Sequence, residues 1–134
     1  LSGILSVRLP VACPFHCPLM EPAAIAYRKR AEHLAWSSLR HPVFSIHLQR
    51  FVTASDLQAE FAWGVVRGMV GFHEAIKLLE REGRCCYIDA SPSGTLHSFL
   101  GRLLPRDGGS RVYPLATAYR RDMINLARLK EALN

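Results

Sequence analysis

Cys13, Phe15, His16 and Cys17 crowd into the stretch between positions 13 and 17, and they are the residues of this chain whose types most directly suggest chemistry. A histidine titrates near neutrality, so it can take a proton from a hydroxyl nucleophile and hand it back to a leaving group. The Cys-His-Cys grouping also suits a metal ion, but Cys85 and Cys86 are adjacent and lack the two-residue gap of a second zinc knuckle. No paired histidine motif accompanies them, so no metal is expected. On residue type alone His16 is one of six histidines, and a loop histidine with no chemical task stays an open alternative. The serine candidates are Ser93 before Gly94 and Ser110 after Gly108 and Gly109; neither has the strand-elbow-helix setting of an exposed nucleophile, so both read as turn residues. Cys17 reads as a small packed residue.

The elements around these residues alternate. Ile4 to Val11 reads as a strand entering the loop Ala12 to Pro18. A helix is expected from Leu19, with Pro22 in its first turn and Met20, Ala23, Ala24, Tyr27, Ala31, Leu34 and Ala35 at helical spacing. Val43 to Leu48 reads as a short strand. Ser55 with Gln58 three residues on forms a capping-box signature for a helix through Leu57, Phe61 and Ala62. A helix from about Phe72 to Glu82 stops at Gly83. Cys85 to Ala90 is an apolar run expected to be a strand buried on both faces. Thr95 to Leu104 reads as a helix, Arg111 to Ala116 as a strand, and Asp122 caps a final helix. Trp36, Trp63, Tyr27, Phe61 and Phe72 fall on helical faces as core. Strands alternating with helices predict an α/β fold with a mostly parallel sheet flanked by helices.

Composition sets bounds. The 134 residues are 49% hydrophobic and 21% charged, which suits one soluble globular unit. No apolar run approaches the roughly 20 residues of a membrane-spanning helix. The apolar start, Leu1 to Leu9, lacks an initiator Met, a basic leader and a cleavage site, and is read as internal sequence whose upstream part is missing. The net charge of +6 is spread from Arg8 to Lys130 and accompanies no nucleic-acid motif, so no nucleic-acid partner is expected. Adjacent Cys85 and Cys86 cannot easily pair, which favours a reducing cytoplasm.

One segment is specific. Leu9-Pro-Val-Ala-Cys-Pro-Phe-His-Cys-Pro-Leu-Met-Glu-Pro-Ala-Ala24 closely resembles the stretch of polyketide-synthase acyltransferase domains that reads L-P-V, two variable positions, A-F-H-S-P-L-M-E-P-A. Further on, Val70-Gly-Phe-His-Glu-Ala-Ile-Lys-Leu-Leu79 is similar to the family's P-V-R-F segment and the helix after it, with Met69 where proline is usual. Tyr87-Ile-Asp-Ala-Ser-Pro-Ser-Gly-Thr-Leu96 resembles the strand and turn F-x-E-V-G-P-H-P-V-L, with Asp89 for the acid and Ser91 for the glycine. Tyr113-Pro-Leu to Tyr119-Arg-Arg-Asp and Leu126 to Leu133 resemble the closing strand and helix.

The resemblance implies the C-terminal part of the malonyl-transacylase core, which is α/β-hydrolase-like: residues 1–11 leaving the small subdomain, residues 12–134 in the large one. It implies that His16 is the catalytic base, that the backbone carbonyl of Val65 orients it, and that Phe15 and Cys13 bear on acyl choice, Phe15 leaning towards malonyl. No bound cofactor or metal is implied. The substrates would be a coenzyme A thioester and the phosphopantetheine thiol of an acyl carrier protein, as in polyketide, fatty-acid and antibiotic biosynthesis, and the basic charge suits an acidic carrier protein or a coenzyme A phosphate. The family's serine lies in a G-H-S-x-G elbow upstream of the histidine and is not found here, so a missing N-terminal portion is expected to supply it and the chain alone to be inactive. Two alternatives stay open: an acyl hydrolase of the same family, and a non-catalytic docking or scaffold remnant.

Overall fold

The computed structural model describes residues 12–105, 107–117 and 121–133. The strand expected over Ile4 to Val11 lies outside them. Where length alone suggests one unit, the chain divides into two compact ones, Leu1–Ala75 and Ile76–Asn134.

In the first unit the expected helix from Leu19 is split. Cys17 is extended (φ −145°, ψ 166°), as the residue before a proline tends to be, and Pro18–Ala23 forms a 3-10 stretch with Pro22 inside it. A proline has no N–H to donate, so the α-helix, α1, starts only at Ala24 and runs to Ala31. Ala24 and Ala31 are buried where α1 packs on α2 (Ala59–Arg67). The seam between them is aromatic. Trp63 is 4% exposed, its ring lies 5.6 Å from that of Tyr27, and the Arg28 guanidinium sits 5.1 Å over it while forking onto Glu60 at 2.6 and 3.0 Å.

Between these helices β1 (Phe44–Ser45) and β2 (Arg50–Phe51) form an antiparallel ribbon. Phe44 and Phe51 meet edge to face at 5.3 Å, the preferred aromatic geometry. The ribbon's turn puts Gln49 in the left-handed region, φ 55°, and the Gln49 N–H closes it on the Ser45 carbonyl at 2.8 Å. The capping box expected at Ser55 and Gln58 is formed instead by Thr53 and Asp56, on the short 3-10 turn Ala54–Asp56. Asp56 is also gripped by Arg50 at 2.6 and 2.8 Å. The Arg50 and Thr53 hydrogen bonds hold its carboxyl well below the usual carboxylate range.

Helix α3, Phe72–Glu82, has the bounds its periodicity predicts, and Gly83 follows it at φ 143°. In the second unit β3 (Cys86–Asp89) and β4 (Arg111–Pro114) pair in parallel, Cys86 opposite Arg111 and Asp89 opposite Pro114. Helix α4 (Thr95–Leu103) makes the connection a parallel pair requires. It packs on both strands, and α5 (Asp122–Leu133) packs on β4; Leu100 and Leu129 are buried in these layers. The expectation that β3 is covered on both faces fails among the described residues: Cys86 and Ile88 are exposed, and only Tyr87 and Asp89 point inward. Asp89 is 3% exposed and takes the N–H groups of Ser91 and His97 at 2.8 and 2.7 Å, capping α4. Glu80 accepts the Tyr87 hydroxyl at 2.7 Å and the Ser110 hydroxyl at 2.9 Å, while Ser110 accepts the Cys85 N–H at 2.9 Å. Burial and the Glu80 hydrogen bond push the Tyr87 phenol up. The unit is α/β, with its parallel pair layered against helices.

Candidate active site

His16 is held in an unusual backbone conformation. Its φ is 61°, a region that non-glycine residues visit rarely and keep only when their surroundings enforce it. Two contacts with the C-terminal end of α2 do so. The His16 N–H donates to the Val66 carbonyl at 3.0 Å, and ring Nδ1 lies 2.8 Å from the Gly68 carbonyl oxygen. These carbonyls are among the last of α2, which lack partners inside the helix. A third tie comes from just beyond His16, where Glu21 pairs with Arg67 at 2.6 Å.

The Nδ1 contact decides the tautomer. A carbonyl only accepts, so Nδ1 carries the proton and Nε2 is the ring nitrogen left to receive one. Val65 does not supply the orienting carbonyl: α2 turns out of helical geometry at Gly68 (φ −67°, ψ 156°), and this turn presents the Gly68 carbonyl to the ring. Val65 contributes to a cavity wall instead.

That cavity, of about 340 Å³, is lined by His16 together with Phe44, His47, Phe61, Val65 and Met69 among others. Its size is that of a small-molecule site, and its walls are mostly apolar with a few polar groups, the usual balance for one. Phe15 and Cys13 are exposed. Phe15 lies 6.4 Å from the His16 ring, centroid to centroid, yet neither residue is among those lining the cavity. Cys17 sets its Sγ 3.1 Å from the Pro14 carbonyl. No three His, Cys, Asp or Glu side chains among the described residues converge on a point that could hold a metal. Ser93 bonds to the Thr95 hydroxyl and Ser110 to Glu80, so each hydroxyl is engaged away from any imidazole. Sequence reasoning missed Val66, Gly68 and His47. The one trace of them in the sequence is the pair Gly64 and Gly68, four apart.

No family model matches the sequence. Among curated proteins, the chain is 38% identical over 126 residues to the polyketide biosynthesis acyltransferase homolog PksD of Bacillus subtilis, covering 92% of this chain and 37% of that protein. It is 31% identical to the homolog BaeD of Bacillus velezensis, covering 93% and 38%. The chain thus spans well under half the length of the curated relatives it matches. Among solved structures, the acyltransferase domain from the second module of the salinomycin polyketide synthase is 30% identical, with a TM-score of 0.77 over 90% of this chain and 28% of that one. The domain from module 8 of the same synthase reaches a TM-score of 0.82 over 95% and 30%, at 22% identity. The transacylase MCAT from Streptococcus pneumoniae gives 0.74 over 92% and 38%, also at 22% identity. At 22% identity the likeness bears on fold alone. In sequence this chain is similar to a C-terminal portion of polyketide-synthase acyltransferases, and it shares its fold with them and with malonyl transacylases.

Proposed function

We propose that this chain is the histidine-bearing portion of an acyltransferase that moves an acyl group from a coenzyme A thioester to the phosphopantetheine thiol of an acyl carrier protein, in polyketide or fatty-acid synthesis. The observation that carries this reading is His16 itself, its Nδ1 bound to the Gly68 carbonyl and its ring at the wall of an apolar cavity. In the reaction, Nε2 takes the proton of a serine hydroxyl as the serine oxygen attacks the thioester carbonyl. Collapse of the tetrahedral intermediate breaks the carbon–sulfur bond, and the proton passes from Nε2 to the departing thiolate. The carrier thiol then attacks the acyl-serine ester with His16 again as base, and the serine recovers its proton. The serine and its oxyanion donors belong to a portion outside this chain, so the chain by itself is expected to be inactive. Phe15 and Cys13, beside the histidine, are proposed to bear on acyl choice; no metal or bound cofactor enters.

The test is transfer of radiolabelled malonyl-CoA to the serine-bearing portion co-produced with this chain, with and without His16→Ala. Loss of general-base catalysis should slow acylation by about 10²–10⁴-fold. If the label appears as free acid rather than on the carrier protein, the same machinery is that of an acyl hydrolase. Labelling that is indifferent to His16→Ala refutes the assignment and favours a docking or scaffold role.

A further inference from the structure

A second histidine, His47, lines the same cavity as His16. Its ring lies against the face of α2 that carries Gly64 and Gly68. A methyl group placed on Gly64 would overlap the ring, reaching within 2.8 Å of Cδ2, and one placed on Gly68 would come within 2.8 Å of Cε1. Real Cβ atoms essentially never come so close, so the imidazole occupies the space that two missing side chains leave. Gly68 is also the residue whose carbonyl accepts the His16 Nδ1–H, and its own N–H closes the helix on the Gly64 carbonyl at 2.7 Å. His47 also borders a second, more polar depression of about 350 Å³ walled by Asp56, Glu60 and Arg67 among others. Among the described residues His47 makes no hydrogen bond, so its contact with α2 is one of shape.

We infer that His47 is a positioning residue for His16: it packs into the notch of Gly64 and Gly68 and holds the last turn of α2 so that the Gly68 carbonyl stays aimed at Nδ1. The chemical purpose assigned to His16 rests on the acyl-transfer reading; the positioning does not. Because rotation of the Gly68 peptide by a modest angle would break the hydrogen bond, a wedge against its Cα controls which His16 nitrogen is free. The two glycines are then required for room rather than for flexibility, since neither has a positive φ among the described backbone angles.

The test is the tautomer of His16, read without substrate by long-range proton–nitrogen NMR on the protein labelled with 15N-histidine. The six histidines are separated by the signal lost in His16→Ala. In the unaltered protein His16 should carry its proton on Nδ1. In His47→Ala the ratio of Nδ1–H to Nε2–H should fall about fivefold, the factor that one ordinary hydrogen bond supports. His47→Phe, which restores a flat ring to the notch, should recover it, and Gly64→Ala, which crowds the ring out, should lower it. If His47→Ala fails to fold, the comparison of Gly64→Ala with His47→Phe reads the same quantity. A His16 tautomer ratio that is unchanged in folded His47→Ala or Gly64→Ala overturns the inference. A ratio that moves as stated, alongside labelling of the co-produced serine-bearing portion that is indifferent to His16→Ala, supports this inference while refuting the functional reading.

Discussion

Replacing Asp89 with alanine removes a carboxylate that is 3% exposed and accepts two backbone N–H groups, from Ser91 at 2.8 Å and from His97 at 2.7 Å. Both donors sit where β3 hands the chain to α4, and alanine leaves them without an acceptor. An unsatisfied buried donor costs roughly 1–3 kcal/mol; the N-cap of α4 is Gly94, which has no side chain to take the His97 N–H in place of Asp89. Asp89→Ala should therefore destabilise the second unit by about 3 kcal/mol, a large fraction of the ~5–15 kcal/mol that holds a domain together. Urea unfolding followed by far-ultraviolet circular dichroism measures the whole effect, and hydrogen exchange at the α4 amides locates it. The pH dependence is a second check. Burial raises the Asp89 carboxyl, but its hydrogen bonds with the Ser91 and His97 groups outweigh burial and hold it below the ordinary value. A carboxylate depressed in the folded state stabilises above its unfolded pKa, near 3.9, and that contribution is lost as the pH falls through the folded value. The gap between the two proteins should be constant above about pH 5 and shrink below about pH 4. A gap under about 0.5 kcal/mol at neutral pH, the scatter of ordinary surface changes, refutes the capping role.

Trp63→Ala should cost about 3–5 kcal/mol, as large-to-small core changes do, because Trp63 is the buried centre of the α1–α2 seam; a thermal midpoint that hardly moves would show that the seam is not the core of the first unit. Tyr87 should ionise late in an alkaline absorbance titration, above the ordinary phenol range, since burial and then its bond to Glu80 both raise it. Tyr87→Phe should delete that late step and Glu80→Ala should bring it earlier; an unaltered protein with no late step would contradict the assignment. Glu21→Gln breaks an ion pair whose glutamate side chain is 55% exposed, and such surface pairs are worth about 0–1 kcal/mol, so stability should change by less than that.

The sequence by itself determined what depends on near neighbours. Helix α3 is legible because Phe72, Ala75, Ile76 and Leu79 recur at helical spacing and a glycine ends it, all within one stretch of chain. The motif around His16 is likewise contiguous, and it was enough to identify the family. Short-range competition was harder to read: Ser55 with Gln58 and Thr53 with Asp56 both have the spacing of a capping box. Asp56 is also held by Arg50 across the ribbon's end, a contact that local spacing does not reveal. The tertiary structure alone decided which carbonyl holds His16, because Gly68 lies 52 residues further along the chain and a backbone acceptor leaves no mark in side-chain identity. It alone brought His47 to the cavity and showed that Gly64 and Gly68 make room for its ring, since an absent side chain acquires meaning only from what fills its space. It also decided which face of β3 is covered, because an alternating backbone assigns faces only when its neighbours are known.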